Sequence, residues 1–236
     1  ILKELNTSED LDWLTTAIVL PDENLLMPVL NNIPDFIEKV NVTMGYPLSM
    51  TPLAGLIESL CDLQKRKRIK DNTTEFYFRN VNAVLQHQYF KALCPAEASI
   101  ILSKINNDNL IYVDKQTFSE NELLNFVFKD VASAADFPQY VLNVLEMMYY
   151  KWLKIDAETD TILPVSGFIN LYFTTITRLN DVMNNHRSVG SISFDTVMRI
   201  IRQMIAGVSV PFTGEPLQGL QIMGVLETRG LDFENI

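Results

Sequence analysis

Few side chains in this sequence stand at the spacings that chemistry requires. Asp156-x-Glu158-x-Asp160 has the alternating carboxylates that open a calcium loop, where every second residue turns an oxygen toward one cation. Thr161 takes the Gly position of such a loop and Gly167 the position of its bidentate Glu, so the match fails. His87 and His186 have no Cys or carboxylate partner at metal-ligand spacing. Gln86-His87-Gln88 reads as a helix segment that packs or faces solvent. His186, after Asn184-Asn185, reads as a helix C-terminus, where an imidazolium meets the negative end of the dipole. A phosphate loop would need Gly-x-x-x-x-Gly-Lys-Ser/Thr, and no such segment exists. No catalytic residue and no metal site is therefore assigned. The one dense cation run, Lys65-Arg66-Lys67-Arg68-Ile69-Lys70, has two readings: a helix end with a solvated face, or a phosphate-contact patch. No aromatic residue interleaves it, which favours the first.

The elements around these residues follow from hydrophobic period. Thr16-Ala-Ile-Val-Leu20 is a β-branched run stopped by Pro21 and predicts a buried parallel strand. Asp22 predicts the cap of a helix over about 24–38, with Pro34 kinking it or ending it early. Val40-Asn-Val-Thr43 predicts a second short strand, and a helix over about 51–67 follows. Strand, helix, strand, helix is the rhythm of an α/β lobe. Beyond Lys70 the patterns turn helical, over 76–90, 96–105, 121–128, 138–154, 165–185 and 194–206. Ser119 with Glu122 suggests a capping box, and Ser193 stands ahead of Asp195 at the last helix. Ile111-Tyr-Val113 is the only strand-like stretch here, forming with Phe118 a small extended arm. Val208 to Pro216 reads as a linker, and Leu220 to Leu226 as a buried strand followed by a loop over Glu227 to Gly230. Leu231 to Ile236 then looks like the approach to another strand. Because the sequence stops there and begins at Ile1, a piece of a longer protein is expected. The predicted fold class is α/β plus mainly α: a parallel-sheet lobe, discontinuous in sequence, interrupted by a large all-helical insertion. The lobe takes residues 1–70 and 217–236, and the insertion 71–216.

Composition narrows the function classes. In 236 residues, 47% are hydrophobic and 20% charged, as in a globular protein with a real core. No apolar run reaches the length of a membrane span, so no membrane role is expected. Two cysteines, Cys61 and Cys94, in apolar surroundings suggest reduced thiols and a cytoplasmic setting. With 19 basic against 29 acidic side chains, the formal charge of −10 argues against an independent DNA-binding module.

The C-terminal stretch carries a family resemblance. Arg229-Gly230-Leu231-Asp232-Phe233 resembles the Lys-Gly-Leu-Glu-Phe core of motif V in superfamily I helicases of the UvrD/RecB type. Thr16 to Leu20 followed by Val40 to Leu48 resembles their motif IV region. GEPLQGLQIMGVLETRGLDFENI is more similar still to AddB-like subunits of helicase-nucleases of the kind found in Bacteroidetes. In this group a mainly helical subdomain is inserted into the second RecA-like domain between the two motifs, and the resemblance implies the same here.

For the loop, the resemblance implies DNA-backbone contacts by Thr228 and Arg229, a turn at Gly230 and a nucleotide-ribose contact by Asp232. This sequence departs from the pattern: Leu226 stands for the family's His, Glu227 for its Lys and Asp232 for its Glu. A purely structural turn is the alternative. Active relatives follow motif IV with an Arg that meets the ATP γ-phosphate; here Pro21-Asp22-Glu23-Asn24 offers acids, which repel a triphosphate. A degenerate motor is implied. The family's nuclease signature, Asp…(Asp/Glu)-x-Lys, is not found; the nearest candidate, Asp114-Lys115, lacks the intervening residue. The expectation is a non-catalytic fragment without cofactors, from a double-strand-break repair subunit that meets DNA, an AddA-like helicase partner, ATP and Mg2+. A helical protein-interaction module with no nucleic-acid role is the rival.

Overall fold

The computed structural model describes residues 2, 13–158, 165–185, 192–210 and 219–236. The chain opens with β1 (Ala17–Leu20), α1 (Leu26–Leu30), β2 (Val40–Val42) and β3 (Tyr46–Pro47). It continues with α2 (Pro52–Lys65), β4 (Arg68–Lys70), β5 (Thr73–Tyr77), α3 (Phe78–Leu85), α4 (Gln88–Leu93) and α5 (Pro95–Asn107). Next come β6 (Tyr112–Asp114), α6 (Glu122–Val127), α7 (Phe137–Glu158), α8 (Val165–Asn185) and α9 (Phe194–Ala206). β7 (Ser209–Val210) and β8 (Leu220–Gly224) close it. Two compact units result: Ile1–Pro47 with Thr161–Leu163 and Ser209–Ile236, and Leu48–Asp160 with Pro164–Val208. The helix Pro52–Lys65 thus groups with the helical unit. Among the described residues no helix is long and apolar enough to cross a membrane.

In the first unit β8 lies between β1 and β2, parallel to both. Near-continuous apolar runs suit this arrangement, because parallel strands are covered on both faces. On one face Leu20 and Ile222 form a core with Leu26 of α1, joined by Ile18, Val40, Val42, Val29 and Leu30. On the other face the register aligns Ala17, Gln221 and Asn41. There the buried Asn41 donates from Nδ2 to Gln221 Oε1 at 2.6 Å, and Gln221 Nε2 donates to the Gly219 carbonyl at 2.9 Å.

Several boundaries differ from the sequence expectation. α1 stops at Leu30, well before Glu38. Pro34 disfavours helix in the residue before it and has no N–H for the Leu30 carbonyl. β8 stops at Gly224, opposite Leu20 at the end of β1 and two residues past the end of β2; Val225 and Leu226 pair with no strand among the described residues and are exposed. Ser209 and Val210, placed in a linker, instead form β7, antiparallel to β3. The approach after the loop does become a partner of β1: Asn235 bridges Thr16 in parallel, with the Ala17 N–H donating to the Asn235 carbonyl at 2.9 Å.

The second unit is mainly helical, with α7 and α8 packed along each other. It is not all-helical, because β4, β5 and β6 form an antiparallel sheet. Asp71 and Asn72 turn the β4–β5 hairpin with φ of 48° and 65°, the left-handed pair that short hairpin turns need and that Asp and Asn tolerate. Phe76 and Tyr77, expected to begin a helix, belong to this sheet, and α3 starts only at Phe78. Phe76 packs edge-on against Phe128, which stacks on Phe118 at 3.5 Å. The Ser119–Glu122 capping box does not form. Asn121 takes the cap with extended backbone, its side chain accepting from Leu124 N at 3.1 Å, while Ser119 Oγ donates to the Gln116 carbonyl. Ser193 does cap α9, accepting from Thr196 N.

Candidate functional site

The loop after the central strand is the one place where the parallel sheet delivers the predicted site residues together. It is a closed turn. Glu227 N donates to the Gly224 carbonyl at 3.2 Å, and Leu231 N donates to the Thr228 carbonyl at 3.1 Å. Gly230 adopts φ +80° with nothing within 4 Å of where a Cβ would stand, so its role is conformational. Thr228 is half-buried and donates its hydroxyl proton to the Val225 carbonyl at 2.8 Å, which leaves that hydroxyl no proton for a phosphate. Arg229 and Asp232 are exposed. Of the four residues, Arg229 is the one cation, and it has no ion-pair partner among the described residues.

At the end of β1, Asp22 Oδ1 accepts from Asn24 N at 2.9 Å and caps a turn over Glu23–Leu25. The Glu227 carboxylate lies over Gly224, where its Oε2 would be 2.4 Å from an added Cβ. Acids therefore flank the carboxyl ends of the two adjacent strands, the position where open α/β sheets hold ligands. Negative charge there disfavours a triphosphate.

The remaining candidates are occupied by structure. Asp156 and Glu158 lie on α7, and the Asp156 carboxylate accepts from Val165 N at 3.2 Å and Ser166 N at 2.7 Å, capping α8. Gly167 lies inside α8, while Asp160, Thr161 and His186 fall outside the described residues. Asp114 caps the turn over Lys115–Phe118 by accepting from Gln116 N at 2.8 Å. Among the described residues no group of three His, Cys, Asp or Glu side chains could hold a metal. His87 caps α4: Nδ1 accepts from Tyr89 N at 3.3 Å, which leaves Nε2 to donate to the Pro52 carbonyl at 3.1 Å. These bonds define one neutral tautomer, and burial pushes its pKa below the ordinary value. Cys61 and Cys94 are buried free thiols, pushed by burial up to about 12 and about 11, and neither is a nucleophile at neutral pH.

The basic run divides at the end of α2. Lys65 pairs with Asp195 at 2.5 Å. Lys67 pairs with Asp130 and donates to the Val131 carbonyl. Arg68 lies in β4, paired with Glu75 at 2.6 Å and stacked 3.5 Å over the Tyr112 ring. Its aromatic neighbour, Tyr112, comes from β6, outside the run. The β-branched and aromatic residues of Thr73 to Tyr77 were the available signal for the sheet. No family model matches the chain, and no curated protein matches it.

Proposed function

We propose that this chain is a piece of a motor-degenerate, AddB-like subunit of a helicase-nuclease acting in double-strand-break repair, comprising part of a second RecA-like domain and its inserted subdomain. The observation that carries the reading is the placement of β8. Distant in sequence from β1 and β2, it enters between them and ends in a glycine turn that presents Arg229. The acids after β1 and β8 support a motor that no longer handles ATP at this lobe. On this reading the parent meets DNA and an AddA-like partner, ATP and Mg2+ serve elsewhere in the assembly, and this chain by itself has neither ATPase nor nuclease activity. Arg229 contributes one phosphate contact, so Arg229→Ala in the intact parent lowers DNA affinity and reduces the salt slope by about 1. Unchanged affinity and slope together with lower thermal stability would make the loop structural and sink its DNA role.

A second reading, a helical protein-interaction module, draws on the net charge of −10 and on Tyr150, Leu153 and Phe173, exposed on α7 and α8. It predicts that Phe173→Ser weakens subunit association while Arg229→Ala changes nothing.

A further inference from the structure

The outer face of the β4–β5–β6 sheet has side chains that no role above absorbs. Strand alternation turns Phe76 and Val113 inward, where both are buried. It leaves Arg68 and Lys70 of β4, Glu75 and Tyr77 of β5, and Tyr112 and Asp114 of β6 on the opposite face. The register makes Tyr77 and Tyr112 directly opposed, with ring centroids 5.7 Å apart. Phe78 extends the pair, 5.0 Å from Tyr77 and edge-on to it. All three rings are partly exposed. The Arg68 guanidinium covers Tyr112, and that of Arg79 lies 5.8 Å from the Phe78 ring.

The charges around these rings oppose the balance of the chain. Asp71, Glu75 and Asp114 are the local acids. Glu75 is engaged by Arg68, and Asp114 caps the turn after β6. Arg66, Lys70 and Arg79 have no carboxylate partner among the described residues, although the whole chain has charge −10. Flat rings at adjacent register positions, bordered by unpaired cations, supply what unpaired bases and their phosphates require. A duplex keeps its base faces stacked internally and could use only the cations.

We propose that this sheet face binds single-stranded nucleic acid, with bases stacking on Tyr77, Phe78 and the Arg68 guanidinium plane that Tyr112 supports, and with Lys70 and Arg79 holding phosphates. The inference stands on the second unit alone and does not rest on the helicase-like reading. The test is fluorescence anisotropy of labelled oligothymidine with the full chain at about 50 mM salt, where phosphate contacts are strong. Binding is expected, with affinity reduced about tenfold by Tyr112→Leu, since each stacked base contributes on that order. Arg79→Gln is expected to lower affinity a few-fold and the salt slope by about 1. Because Arg79 is exposed and outside the core, that variant keeps the proposal testable if Tyr112→Leu unfolds, which a thermal melt would show. No binding by the wild-type chain would overturn the proposal. So would wild-type affinity in both variants, or equal competition by duplex DNA or an acidic peptide. The Arg229→Ala test in the parent reads a different site, so either can fail while the other stands.

Discussion

Gly219→Ala is the perturbation whose cost can be worked most directly from the structure. Gly219 has φ +71° and approaches β2 so closely that an added Cβ would stand 2.0 Å from the Lys39 carbonyl oxygen. The left-handed backbone alone costs a non-glycine residue about 1–2 kcal/mol. The clash is with backbone, so it is relieved only by separating the strands. That sacrifices the Leu220 N–H to Lys39 carbonyl hydrogen bond, 3.0 Å, which contributes about 0.5–1.5 kcal/mol. Together these come to about 1.5–3.5 kcal/mol before any loosening of the packing beneath β8, a large fraction of the roughly 5–15 kcal/mol of a typical domain. Gly230→Ala is the matched control: its φ is +80° but the space around it is open, so the loss should be only about 1–2 kcal/mol. Denaturant titration of the two variants, with hydrogen exchange at the β8 amides to localise the damage, measures the difference. If Gly219→Ala costs no more than Gly230→Ala, or leaves β8 protected, the close approach of Gly219 to Lys39 is not what positions the central strand.

Three further outcomes follow from features of the two units. Gly55 is exposed within α2 with nothing beyond its own helix within 4 Å of where a Cβ would stand, so Gly55→Ala should raise stability by about 0.5–1 kcal/mol in a thermal melt. Asn41→Leu and Gln221→Leu should each cost about 1–3 kcal/mol by stranding the other's buried amide, and the double variant should cost less than the sum, as a double-mutant cycle would reveal. Burial holds the His87 pKa below its unfolded value, so the unfolded chain binds the extra proton and His87 disfavours the fold as pH falls below about 6.5. His87→Gln should flatten the decline in stability across that acid window.

The parallel sheet was legible because β1, β2 and β8 are apolar runs bounded by Pro, Gly or polar residues, a pattern few other elements share. The bounds of α8 and α9 coincide with the sequence reading for a related reason: long amphipathic periods end at Asn185 and at Gly207. The β4–β6 sheet was obscured because Arg68 and Lys70 look like the continuation of a helix end, and because its turn uses Asp71-Asn72 without a glycine. The position of the Arg229 loop was readable, but not the Thr228 hydroxyl bond that occupies its donor. Asp156 illustrates the same gap: its chemistry was visible, whereas its target, the first amides of α8, lies across a loop.

The order of strands in the first unit also has a consequence in time. Asn41 and Gln221, hydrogen-bonded neighbours in the sheet, are 180 positions apart in the chain. At a synthesis rate of roughly 5–20 residues per second, β1 and β2 wait on the order of 10–40 s for the strand that joins them. During that interval Ile18, Leu20, Val40 and Val42 lack the central strand that completes their core, while the sequence of the second unit is being made. The helical unit can therefore fold first on the ribosome. The nascent lobe, with unsatisfied strand edges, is then the part of the chain most open to mispairing.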